Sequence, residues 1–266
     1  PGWHIECSAM SMKYLGPSFD IHTGGIDNLF PHHENEIAQA EGATGQPFVR
    51  TWLHCAHLRV NGEKMSKSLG NFFTLRDLLE KGWGGREIRY VLLGGHYRQP
   101  LNFTFDALEA ARTALGRLDA FADRLDETAK GCAPAAAPPA WAGEGSAAFD
   151  AAVFDDLNLP EALAALFGLV RDGNAALQNG AVAPAAAASV RGLLERIDGV
   201  LGVLAFGRVR TEAVPAAIRE LAEARRAARA AKNWAESDRL RDAIAAAGWE
   251  VRDGKEGQKL ARRPSE

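Results

Sequence analysis

The sequence predicts a multidomain protein, mixed α/β over its first hundred residues and helical after that. Three observations predict it. All seven histidines and all three methionines fall in residues 1–100, among many glycines and short apolar runs, the texture of alternating strands and helices. From residue 104 the apolar residues recur at steps of three and four. Past residue 211 the chain turns Ala- and Arg-rich and closes on two short strand-like runs.

In the first region, Trp3–Glu6 and Phe19–His22 read as strand ends, Asn28–Glu41 as a helix, Trp52–Val60 as a strand and Thr74–Lys81 as a helix. Residues 104–130 read as one amphipathic helix with Leu108, Ala111, Leu115, Leu118 and Phe121 on its apolar face and Thr104 as its N-cap. Residues 131–145, rich in Pro, Ala and Gly, read as a linker, because proline blocks helix continuation and little there can be buried. Pro160–Leu177 and Pro184–Leu204 are apolar helices, each opening on a proline suited to a first turn, and with 104–130 they make a bundle. Thr211–Ala231 and Trp234–Ala247 are helices, the second closed by Gly248. Trp249–Arg252 and Lys259–Arg263 form a hairpin around Asp253-Gly254.

The 266 residues suffice for one large domain or two to three smaller ones, and 47% hydrophobic with 24% charged residues exclude a disordered chain. No apolar stretch of about 18 residues exists, which excludes a helical membrane span. Cys7, Cys55 and Cys132 are too few for a disulfide framework and fit a reducing compartment. A net charge of −3 excludes coating nucleic acid through bulk positive charge, but residues 219–266 carry 12 Lys and Arg against 9 Asp and Glu. The chain opens Pro1-Gly2-Trp3-His4 without an initiator Met or a signal-peptide pattern, so it reads as cut from something longer.

Four groups of residues carry chemistry. Lys64 and Lys67, in Glu63-Lys64-Met65-Ser66-Lys67-Ser68, make a positive loop able to meet phosphate charge, or else a solvated surface turn. His32 and Glu36 stand four apart on one helix face, and Cys7 ends a short strand. Sulfur, imidazole and carboxylate are zinc ligands, but the same residues would also serve as a buried thiol and a surface ion pair. Gly24-Gly25-Ile26-Asp27 closes a strand: the glycines admit a ligand to the backbone and the carboxylate can accept from ribose hydroxyls, or the run is a tight turn. Arg225, Arg226, Arg229 and Lys232 surround Trp234, cations with an aromatic that suit RNA, or a solvated helix face balanced by nearby acids.

Gly2-Trp3-His4-Ile5-Glu6-Cys7, Asp20-Ile21-His22-Thr23-Gly24-Gly25-Ile26-Asp27, Phe30-Pro31-His32-His33-Glu34-Asn35-Glu36, Trp52-Leu53-His54, the lysine–serine loop and Gly95-His96-Tyr97-Arg98 together resemble the cysteinyl-tRNA synthetases, of class I. The run Ala231-Lys232-Asn233-Trp234-Ala235-Glu236-Ser237-Asp238-Arg239-Leu240-Arg241-Asp242 resembles that family's anticodon-binding domain. The resemblance implies the C-terminal half of a Rossmann-type catalytic domain over 1–103, with the zinc site and the lysine–methionine–serine–lysine–serine loop. It implies a connecting helical bundle over 104–210 and an anticodon- and tRNA-binding domain over 211–266.

By that resemblance, Cys7, His32 and Glu36 hold one Zn2+, whose fourth ligand, a cysteine, lies upstream of this chain. Lys67 and Lys64 serve the phosphates of ATP with Mg2+. Gly24, Gly25 and Asp27 hold its ribose, and Trp3 and His22 wall the pocket, though His22 also fits a hydrogen-bonded core histidine. Arg225, Arg226, Arg229, Lys232 and Trp234 contact tRNA, while Cys55 and Cys132 have no ligand role. The implied activity is ATP-dependent activation of L-cysteine and its transfer to tRNA(Cys), by a cytoplasmic monomer with no membrane contact, and this chain alone is expected to be inactive. The alternatives are a cysteine:sugar ligase of the mycothiol pathway, which would lack the basic tail, and a non-catalytic RNA-binding protein derived from a truncated synthetase.

Overall fold

The computed structural model describes residues 2–204, 216–231, 233–254 and 257–262. Helix α1 (Trp3–Leu15) ends where Gly16 takes a φ of 89°. The strand expected over Trp3–Glu6 is the first turn of this helix. The apolar alternation there carries no burial, since Trp3 is 78% exposed. The helix buries Ser8 instead, whose hydroxyl lies 2.9 Å from both the His4 carbonyl and Gln39 Oε1.

Strand β1 (Phe19–Gly25) pairs in parallel with β2 (Val49–Cys55), from Phe19 opposite Val49 to Gly25 opposite Cys55. A 3-10 turn (Ile26–Asn28), a π-helical turn (Leu29–His33) and helix α2 (Glu34–Thr44) connect them. The single helix expected over Asn28–Glu41 is broken at Phe30, whose φ of −134° and ψ of 133° are extended. Pro31 follows it across a cis bond, and proline disfavours a helical conformation in the residue before it. The single strand expected over Trp52–Val60 is likewise two: β2 stops at Cys55, and β3 (Leu58–Val60) starts a second sheet. There β3 lies between β4 (Glu63–Lys64), antiparallel, and β5 (Leu101–Phe103), parallel. Asn61 and Gly62, at φ 51° and 81°, supply the left-handed pair that a two-residue hairpin turn needs.

Helix α3 (Leu75–Glu80) opens on a reciprocal cap, in which Thr74 Oγ1 accepts from the Asp77 N–H and Asp77 Oδ2 accepts from the Thr74 N–H. Helix α4 (Gly85–Leu93) leads to the bundle of α5 (Phe105–Ala129), α6 (Ala140–Phe154), α7 (Leu159–Gln178) and α8 (Pro184–Leu201). Thr104 caps α5 by accepting from the Ala107 N–H at 3.0 Å, and the expected stripe from Leu108 to Phe121 is buried. Each such leucine taken from water contributes about 2 kcal/mol. The linker expected over 131–145 ends at residue 139. From Ala140 the chain is helix α6, whose packing face is Ala142, Ser146, Phe149 and Ala152, all buried, and a Cβ on Gly145 would fall 2.9 Å from Leu169 Cβ.

Hydrogen bonds cross the boundary expected at 103/104. Arg86 on α4 grips Asp119 on α5 with two hydrogen bonds of 3.1 and 2.7 Å and donates to the Val203 carbonyl at 2.7 Å, and Arg89 donates to the Leu201 carbonyl. Residues 1–72 and 85–204 accordingly form one compact unit. Residues 73–84 and 205–266 form the other. In that second unit α9 (Ala216–Ala230) packs on α10 (Trp234–Ala246) over Ile218, Ala222, Ile244 and Trp249. Gly248 (φ 80°) leads into the hairpin of β6 (Trp249–Gly254) and β7 (Gly257–Arg262). Asp253 and Gly254 lie in the first strand rather than in the turn, opposite Gln258 and Gly257, and residues 211–215 and 255–256 fall outside the described residues. No helix among the described residues is long and apolar enough to cross a membrane.

Candidate metal centre and lysine loop

The carboxyl end of β1 is where the first site forms, the place at which open α/β sheets bind ligands. Gly24 is required there, since a Cβ on it would lie 2.6 Å from the His33 ring, so only glycine lets the turn after β1 fold back on the strand. That turn delivers His32 and His33 to the start of α2, one helical step before Glu36. Facing them is the second turn of α1, which carries Cys7.

Sulfur of Cys7, a ring nitrogen of His32 and a carboxylate oxygen of Glu36 all lie within 4.8 Å of one another. Glu36 is fully buried. Its Oε2 is 2.9 Å from His22 Nε2 in a hydrogen bond. Its Oε1 sits 2.8 Å from His32 Nε2 but out of hydrogen-bond alignment, so it is a buried oxygen with no hydrogen-bond partner. A buried acceptor left without a hydrogen bond costs on the order of 1–3 kcal/mol, more when it is charged. With a thiol and an imidazole beside it, that oxygen fits a cation, and the mixed S, N and O set fits zinc. A second triad, His22, His33 and Glu36, shares the same carboxylate. Burial first, then the carboxylates of Glu36 and Glu6, pushes the Cys7 thiol above its ordinary pKa in the absence of a metal.

Around this centre the histidines and one tryptophan interlock. The His22 ring stacks on Trp52, its register partner on β2, with centroids 4.6 Å apart and planes 19° apart. His33 Nδ1 meets His54 Nε2 at 2.7 Å. Desolvation first, then the rings of His22, His54 and His32, lowers the His33 pKa to about 4, so this ring is neutral at neutral pH. The sequence offered no sign of the His33–His54 contact, since only the pairing of β1 with β2 brings the two together. Asp27 is exposed, just beyond the end of β1, and a Cβ on Gly25 would meet its Oδ1 at 2.4 Å, so the glycine makes room for the carboxylate. Trp3 is exposed one helical turn before Cys7.

The lysine loop leaves β4 at Lys64 and runs to Phe72. Asn71 Oδ1 accepts from the Ser66 N–H at 2.8 Å, its Nδ2 donates to the Lys64 carbonyl at 3.2 Å, and the Lys67 ammonium stands 5.5 Å over the Phe72 ring. In the second unit, Arg229 lies 5.7 Å over the ring of Trp234, which is 57% exposed, and Arg226 pairs with Glu223 at 2.6 Å. Arg225 corrects the expectation: it is 2% exposed, inside the helix pair, because it falls on the face of α9 shared with Ile218 and Ala222. Lys232 lies outside the described residues.

Three family descriptions match in series. "tRNA synthetases class I (C) catalytic domain" covers residues 1–113, "DALR domain" 148–205 and "Cysteinyl-tRNA ligase anticodon binding domain" 211–260. The cysteine–tRNA ligase of Chlamydia caviae is 48% identical over 263 residues, 98% of this chain. The chain belongs to the cysteine–tRNA ligase family. The cysteine–tRNA ligase of Chlamydia muridarum is 48% identical over 282 residues, again 98% of this chain. The chain spans about half the length of these relatives, 55% and 56%. The solved ternary complex of Agrobacterium radiobacter K84 agnB2 LeuRS-tRNA-LeuAMS superposes with a TM-score of 0.57 at 21% identity, covering 69% of this chain and 26% of that one. That likeness shows the fold, that of class I synthetases, in this cysteine–tRNA ligase family member.

Proposed function

We propose that the chain is the C-terminal part of a cysteine–tRNA ligase. In the reaction, L-cysteine attacks the α-phosphate of ATP, giving cysteinyl-adenylate and pyrophosphate, and the cysteinyl group then passes to the terminal ribose of tRNA(Cys). The observation that carries the reading is the buried, unsatisfied Glu36 oxygen beside Cys7 and His32, in a chain whose relatives are cysteine–tRNA ligases. Cys7, His32 and Glu36 would hold Zn2+, together with a cysteine from an upstream segment. Zinc bound there would supply a soft centre that takes the substrate thiolate in preference to serine's hydroxyl. A hydrophobic pocket alone separates such isosteres only about a hundredfold.

The chain's own groups do the rest by position and charge. His22 holds Glu36 Oε2 and, braced on Trp52, fixes the carboxylate's orientation. Neutral His33 fills the space beside the centre without adding charge. Gly24 and Gly25 let the turn after β1 pack closely on the strand end, which places Asp27 to accept from the ribose hydroxyls of ATP. Lys67, with Lys64, would neutralise phosphate charge of the Mg2+-bound ATP as pyrophosphate leaves. Trp234 with Arg229 and Arg226 offers a ring and cations to the tRNA. The match of the tail to an anticodon-binding domain favours tRNA over a sugar as the cysteine acceptor.

Cysteine-dependent ATP–pyrophosphate exchange tests this, on the 266-residue chain and on the chain extended upstream with the matching segment of a relative. Exchange is expected from the extended form alone and with cysteine alone. Equal exchange with serine would overturn the role given to the metal centre, and exchange without charging of tRNA would favour the sugar ligase.

A further inference from the structure

Between β4 and α3 the lysine loop belongs to no ladder and no helix, and most of its residues are exposed. Such a segment keeps one shape only if something ties it. One side chain does. Asn71 reaches back across the loop, its Oδ1 accepting from the Ser66 N–H (2.8 Å) and its Nδ2 donating to the Lys64 carbonyl (3.2 Å). A carboxamide alone offers an acceptor and a donor on the same carbon. Aspartate would turn an oxygen on the Lys64 carbonyl, and alanine would make neither bond. Within the tied ring, the Gly70 N–H donates to the Lys67 carbonyl at 3.2 Å with Gly70 at φ 65°, and the Ser66 and Ser68 hydroxyls share a 2.7 Å bond. The next residue, Phe72, receives the Lys67 ammonium on its ring face at 5.5 Å, which shelters the cation without neutralising it.

We propose that Asn71 is a positioning residue for Lys67: it brackets the loop from Lys64 to Phe72 so that this lysine is presented in one place. The inference rests on the reading of Lys67 as a phosphate contact. Preorganised charge is effective only where it is held, and a displacement of about 1 Å costs on the order of a hundredfold in rate.

Two measurements test it. In the 266-residue chain, trypsin cleavage after Lys64 and Lys67 is expected to speed at least about tenfold in Asn71→Ala, at an unchanged Tm, because local opening sets the rate. Asn71→Asp, which keeps the acceptor alone, falls between. In the upstream-extended enzyme, Asn71→Ala is expected to lower kcat of ATP–pyrophosphate exchange roughly tenfold to a hundredfold at unchanged KM for cysteine. Added to Lys67→Ala, it is expected to lower kcat no further, since it acts through that lysine. Unchanged trypsin rates, or losses that multiply in the double variant, would overturn the proposal. If the unsubstituted extended enzyme shows no exchange, the activity reading falls, and the trypsin rates still decide whether Asn71 brackets the loop.

Discussion

Zinc should stabilise the first compact unit, and the stabilisation should depend on Glu36. The three donor atoms stand within 4.8 Å of one another, whereas a tetrahedral zinc with bonds of about 2.0–2.3 Å spaces its ligands roughly 3.3–3.8 Å apart. The side chains therefore close by at most about 1.0–1.5 Å, within the reach of rotamer adjustment. An ion that binds the folded state alone, at a hundred times its Kd, adds about 2.7 kcal/mol. In a unit of roughly 190 residues each kcal/mol is worth about 2–4 °C, so the melting temperature should rise by roughly 5–10 °C. The assay is calorimetric melting of the 266-residue chain with zinc and again with chelator, each variant compared with its own zinc-free value. Glu36→Gln should lose the shift, because the amide keeps an acceptor but not the charge. Cys7→Ser should lose most of it, because a hydroxyl is a poor zinc ligand. An equal shift in Glu36→Gln would refute the site. A shift kept by Cys7→Ser and lost by Glu36→Gln would move the ion to His22, His33 and Glu36.

Lys67→Ala should lower adenylate formation in the upstream-extended enzyme by roughly a hundredfold, as removal of one preorganised charge does, with tRNA binding unchanged, and normal ATP–pyrophosphate exchange would contradict it. Deleting residues 211–266 should spare adenylate formation and weaken tRNA charging, and equal charging would exclude a tRNA role for the tail. Arg86→Ala removes two hydrogen bonds to Asp119 and one to the Val203 carbonyl, and should cost about 2 kcal/mol, read as a fall of roughly 4–8 °C in melting temperature. The hydrogen bond from Arg98, then that from Tyr97, lowers the Asp156 carboxyl from 3.8 to about 2. The stability from this contact is therefore present above pH 3.8 and lost as pH falls toward 2, so Asp156→Asn should flatten acid unfolding in that window. A mutant that keeps the same acid limb would assign it to other groups.

The helical part was legible because its signals are local. The stripe from Leu108 to Phe121 repeats at the helix period, Thr104 caps it, and prolines mark the first turns of α7 and α8. The first residues of α6, 140–145, read as linker because small residues look the same whether they are solvated or packed flush, and the approach of Leu169 to Gly145 tells the two apart. Trp3–Glu6 failed for a related reason: alternation predicts a strand only where one face is buried, and that segment is mostly exposed. Arg225 looked like its surface neighbours until the packing of α9 on α10 enclosed it.

By itself the sequence determined the resemblance and the candidates for the proposed site: the thiol, imidazole and carboxylate of Cys7, His32 and Glu36, the two lysines of the loop, and the paired glycines before Asp27. Four-residue spacing placed His32 and Glu36 on one face because both lie within a single turn of chain. What no spacing could fix was that Cys7, on a separate helix, meets them, that Glu36 is buried with one oxygen unsatisfied, and that Asn71 closes the loop behind Lys67. Those relations join groups whose distance is set by how α1, β1 and α2 pack and by how a loop folds on itself. Periodicity and composition record which face of an element is buried, and tertiary structure alone decides what that face meets.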